Sequence, residues 1–138
     1  MKALPDSEDS LLIRTDFTDE IAWQSLCRAV KQPVGEFQAY VHCVSNPEFD
    51  GVEPSRLIEF AQSQPNQAFL FVADRESFQS SEMTLLAVDL REQPGRSFRL
   101  VPSVAWSVEN NLSIANMDFS EFAEATDDRG IFRGFSDV

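Results

Sequence analysis

The chain is short of the residues on which many small enzymes and cofactor proteins depend. It has one histidine, two cysteines and five glycines in 138 residues. With histidine only at 42 and cysteines only at 27 and 43, no spacing suits a zinc site. A Ser-His-Asp or Cys-His device would have to use His42, which falls inside a predicted strand, so no catalytic residue is assigned. The glycines at 35, 51, 95, 130 and 134 form neither a dinucleotide-binding fingerprint nor a phosphate-cradling loop, and no cofactor is expected. Basic residues are scarce too: 11 Lys plus Arg stand against 23 Asp plus Glu, for a net charge of −12. Such a chain is repelled by nucleic-acid phosphates and by anionic lipid headgroups, so neither partner is expected. No run approaches the roughly 18 apolar residues of a membrane span. The first ten residues hold one lysine and no apolar core, unlike a signal peptide, and the cytoplasm is the expected location. In that reducing setting Cys27 and Cys43, each among apolar residues, are expected as free thiols.

Apolar residues make up 43% of the chain, enough for a packed core. The length suits a single globular domain over residues 1–138, with 1–9 read as a flexible acidic tail. Leu11 to Phe17 is a short apolar run and predicts a first strand. Thr18 is the expected N-cap of a helix whose apolar face is Trp23, Leu26, Cys27 and Val30, at i, i+3, i+4 and i+7. Phe37 to Val44 alternates with period two and predicts a second strand. Pro54 opens a second helix with Leu57, Ile58, Phe60 and Ala61. Ala68 to Ala73 is apolar without alternation, as in a central strand covered on both faces. The run 84–90 and the run 97–101 flank Pro94-Gly95 and predict a hairpin. A three-residue loop, which sets Leu86, Val88 and Leu90 on one face with Phe98 and Leu100, is the expected register. Asp118 and Glu121 have the spacing of a capping box for a short last helix, and 130–135 reads as a docked edge strand. The order predicts an α/β or α+β domain. Its mixed sheet has about five to six strands, with about three to four helices in a sandwich-like arrangement.

Charge is unevenly distributed. Residues 1–20 hold two basic and six acidic groups, and residues 107–138 hold two and seven, so the ends carry −9 of the −12. An acidic face of that kind steers a basic protein partner. Trp106, Glu109, Asn110, Asn111, Asn116 and Asp118 form the least ordinary tract. Paired asparagines are poor helix-interior residues, so the tract is either a capped helix end or a partner-binding surface. Phe49, Phe78 and Phe135 flank loops or the terminus, where aromatics anchor interfaces or sit in satellite clusters. A competing reading takes Asp16 and Asp74, each after a strand, as metal-holding carboxylates of a small hydrolase or transferase. Asp89 is expected on a polar hairpin face, beside Arg91 or paired with Arg99.

Five segments carry a further signal: Leu11–Phe17, Phe69–Arg75, Ser97–Asn116, Met117–Ala123 and Ile131–Phe135. Together they resemble a group of small acidic bacterial proteins classed as a domain of unknown function. The resemblance implies a single-domain soluble bacterial protein and transfers no activity and no site residue. In size and charge alone the chain also resembles immunity proteins that neutralise bacterial toxins. The reading favoured here is a non-enzymatic binding module that holds a basic protein.

Overall fold

The structure, a computed structural model, describes residues 4–62, 64 and 66–135. Six strands form one sheet: β1 (Ser10–Arg14), β2 (Val41–Val44), β3 (Phe69–Ala73), β4 (Leu85–Asp89), β5 (Ser97–Leu100) and β6 (Ile131–Phe132). Their spatial order is β2-β1-β3-β4-β5-β6. β1 is parallel to β2 and β3, β4 is antiparallel to β3 and β5, and β6 is parallel to β5. The helices are α1 (Glu20–Lys31), α2 (Pro54–Ala61), α3 (Arg75–Gln79), α4 (Ala105–Ser113) and α5 (Phe119–Ala123). The mixed-sheet α/β class read from the sequence is the observed one, and 130–135 does supply an edge strand at β6.

Both faces of the sheet are covered. Leu12, Phe69, Phe71, Ala87, Phe98, Leu100 and Phe132 point to a layer built from α1, α4 and α5, which contribute Trp23, Leu26, Val108, Phe119 and Phe122. Leu11, Ile13, Leu70, Val72 and Val88 point the other way, to Leu57 and Ala61 of α2 and to Phe49 and Leu4. β3 is therefore buried at all five positions, which is why its sequence shows no alternation. Residues 4–9, part of the stretch read as a tail, lie against the α2 side of the fold. Leu4 is buried, Gln64 Nε2 donates to Leu4 O, and Gln67 Nε2 donates to the carbonyls of Ser7 and Asp9. Residues 1–3 lie outside the described set.

Several local expectations are corrected. Asp19, not Thr18, caps α1, accepting from Ala22 N–H at 2.9 Å, while Thr18 donates to Asp16. The second strand is confined to Val41–Val44, because residues 34–37 close a tight turn at Gly35, which has φ +61°. Phe49 is a core residue, fully buried on the α2 side. The hairpin register also differs. Ala87 faces Phe98 and Leu86 faces Arg99, so Phe98 and Leu100 share a face with Leu85 and Ala87 rather than with Leu86 and Val88. The expected register assumed a polar face on β4. With both faces covered there is none, and the small Ala87 makes room for the ring of Phe98 opposite it. The longer connection is held by Asp89. Its buried carboxylate accepts N–H groups from Arg91 and Gln93 at 3.0 and 2.9 Å, and more weakly from Glu92.

Candidate functional site

The tract from Trp106 to Asp118 divides by environment. α4 carries the buried Glu109, which reaches the amino end of β1 and the approach to β2. Oε1 accepts the Tyr40 N–H at 2.8 Å and the Asn110 Nδ2 at 2.9 Å, and Oε2 accepts Ser10 Oγ at 3.4 Å. Asn110 Nδ2 also donates to Gln38 O at 2.9 Å. The two side chains clamp residues 38–40. Asn111 and Asn116 close the helix end. Asn111 Nδ2 donates to Ser107 O, Asn111 Oδ1 accepts Asn116 Nδ2, and Asn111 O accepts the backbone N–H of Asn116 and Met117. Exposed Asp118 opens α5, where Glu121 Oε2 accepts its N–H at 2.8 Å. The side chains of Glu109, Asn110, Asn111 and Asn116 thus spend polar atoms on the fold itself, as Asp118 does with its backbone N–H.

Trp106 does something else. It is half-buried and stacks on Phe37, with ring centroids 4.4 Å apart at 15°. Phe37 stays 51% exposed, Tyr40 59% and Val34 40%. The clamp of Glu109 and Asn110 therefore presents an aromatic ridge along the approach to β2, which is an edge strand. Sequence reasoning placed Phe37 in a core strand and missed this ridge. The signal available was Gly35, whose turn breaks the alternation just before Phe37.

Beside Val34 lies an open groove of about 850 Å³. Ala29, Val34, Met83 and Pro102 supply apolar lining, and Arg28 and Arg133 supply charge. Arg133 is held by Glu82 and Asp127. Met83 has φ +52°, a conformation that costs strain in a residue with a side chain. Elsewhere, near the turn after β4, Glu92 lies close to Asp118, Asp89 and Glu121. Desolvation first, and then those like charges, push its carboxyl above the ordinary value.

The strand-end carboxylates are both engaged. Asp74 caps α3, its Oδ1 accepting Ser77 N–H and Oγ–H while its Oδ2 pairs with Arg99. Arg99 also binds Glu76 at 2.7 Å, so it is not the partner of Asp89. Asp16 accepts the N–H and hydroxyl of Thr18. Desolvation pushes the Asp16 carboxyl up, but the Thr18 hydrogen bonds with Arg75 and Arg14 outweigh it, and the net is below the ordinary value. Asp16 lines a cavity of about 420 Å³ with Arg75 and Phe78, and Asp74 is not among its walls. Next to it Arg14, 2% exposed, donates Nε to Asp16 O at 2.9 Å and pairs with Glu20 at 2.7 Å. Its guanidinium lies over Phe17 and Trp23. Among the described residues no three His, Cys, Asp or Glu side chains gather as a metal-binding group. His42 stands exposed on β2.

A search among curated proteins finds no match. A family match does exist, and it spans residues 9–135, nearly the whole chain and every strand of the sheet. The chain belongs to the family described as a domain of unknown function, DUF6924.

Proposed function

We propose that the protein is a non-enzymatic module that binds a basic protein partner through the ridge of Val34, Phe37 and Tyr40 backed by Trp106. The observation that carries the reading is the Phe37–Trp106 stack: a large aromatic ring held in fixed orientation while half of it faces solvent. The side chains of Glu109 and Asn110 hold the backbone beneath it, so little conformational freedom is lost when a partner covers the ridge. Tyrosine and tryptophan are enriched among the residues that dominate binding energy. The net charge of −12 selects the sign of the partner and speeds encounter. The most concrete version is immunity- or antitoxin-like inhibition in the bacterial cytoplasm. The carboxylate-enzyme alternative is disfavoured because both oxygens of Asp74 already serve Ser77 and Arg99.

The test is capture of basic proteins from bacterial lysate on the immobilised chain, at low and at moderate salt, beside a Phe37→Ala/Tyr40→Ala double variant. The expected result is a basic protein held by the parent chain, weakened by salt and lost from the variant. Equal capture by both, or none by either, overturns the reading.

A further inference from the structure

We propose that Cys27 and Cys43 form a peroxide-reactive dithiol, a modification site in which the two thiols close to an intramolecular disulfide between α1 and β2. The two residues come from neighbouring elements and meet on one face of the sheet. Cys43 is opposite Leu12, whose side chain faces the α1 layer, and Cys27 follows Leu26 on the helix that packs there. Both pack against the same core cluster, and both are free and half-buried. α1 packs directly on β2, and the two thiols lie close enough to perturb each other's ionisation. Neither thiol is fully buried, which leaves both within reach of a small oxidant.

The contact is also asymmetric. The neighbouring Cys27 thiol holds the Cys43 thiol below its ordinary value against the effect of burial, with help from Lys31. The same contact, with burial, drives Cys27 far up. The steps are written with Cys43 as the attacking sulfur, and the same chemistry runs with the two roles exchanged. In the first step the Cys43 thiolate attacks one oxygen of a hydroperoxide. The S–O bond forms, the O–O bond breaks, and the departing alkoxide takes the proton given up by Cys43 and leaves as alcohol, or as water when the oxidant is hydrogen peroxide. In the second step the Cys27 sulfur attacks the Cys43 sulfenic acid. The S–S bond forms, the S–O bond breaks, and hydroxide leaves with the Cys27 proton as water. Two thiols and one hydroperoxide become one disulfide, one alcohol and one water, and the two electrons go to the peroxide oxygens. The ring closed by that bond encloses Val34, Phe37 and Tyr40. The chemistry itself stands independently of any partner on that ridge.

The full chain is treated with a slight excess of hydrogen peroxide, then unfolded in urea, alkylated with iodoacetamide and weighed intact. Before treatment two alkyl groups are expected. Afterwards none is expected, at a mass lower by about 2 Da, and dithiothreitol restores both sites. In Cys27→Ser, Cys43 is expected to accumulate a dimedone-trapped sulfenic acid. In Cys43→Ser, Cys27 likewise carries a trapped sulfenic acid, and no internal disulfide forms. Circular dichroism on each variant confirms the fold, and Cys27→Ala stands in if serine disturbs it. Full alkylation after treatment, or disulfides found only between chains on a non-reducing gel, overturns the proposal.

Discussion

Glu92 and Asp127 show how the same kind of side chain takes opposite roles from its neighbours alone. Arg133 beside Asp127, with the Ile131 N–H, holds that carboxyl at about 2. A depressed carboxyl contributes stability that is complete above its unfolded value near 3.8 and disappears as pH falls towards 2. Glu92 is raised, so its charge costs stability at neutral pH, and the cost disappears below its ordinary 4.5. Both lie at the surface, so salt screens both effects. Glu92→Gln is therefore expected to raise the melting temperature at pH 7 and to leave it unchanged at pH 3. Asp127→Asn is expected to lower it at pH 7 and to flatten the loss between pH 4 and pH 2. Thermal melts at fixed ionic strength read both. Neither behaviour is legible in the sequence: Arg133 is six residues from Asp127, and Glu92 is 26 from Asp118, so only the fold sets which charges meet.

Among the elements, the β4–β5 connection is where local rules fell short. Pro94-Gly95 does mark the turn, and Gly95 does need its φ of +100°. The register is decided by packing on both faces of β4 and by a buried aspartate that organises the turn. Asp89→Ala is expected to cost about 1–2 kcal/mol, since the freed N–H groups of Arg91 and Gln93 can turn to water, and Asp89→Asn to cost less. Urea denaturation of the three chains checks the order. The capping box at Asp118 and Glu121 was readable because a cap is a contact between near neighbours in sequence. The stop of α4 was readable only as a choice between cap and surface. Which one applies depends on whether Gln38 and Tyr40, about 70 residues away, come close enough to engage Asn110 and Glu109.

For the molecule as a whole, two apolar layers flank a single sheet, and that arrangement predicts equal sensitivity on both sides. Leu70 and Phe71 are adjacent on β3, fully buried, and face opposite layers. Leu70→Ala is expected to cost about 2–5 kcal/mol and Phe71→Ala about 3–5 kcal/mol. A sheet with one wet face would lose such an amount at only one of the two positions. Chemical denaturation of both variants, read against the parent, distinguishes these cases. The aromatic ridge belongs to this scale as well, since α4, β1 and the approach to β2 must all be in place before Phe37 finds Trp106.

Elements whose cause is local were determined by the sequence alone: the amphipathic face of α1, the doubly buried β3, the hairpin's turn residues, the capping box and the acidic balance. Each depends on periodicity or on groups within about four residues of one another. The tertiary structure alone decided the hairpin register, the burial of Glu109 and Phe49, the meeting of Cys27 with Cys43, and the exposure of Phe37. The reason is physical: the pattern of polar and apolar residues says that a side chain is to be buried or solvated. Which surface buries it is settled only when distant segments compete for the same space.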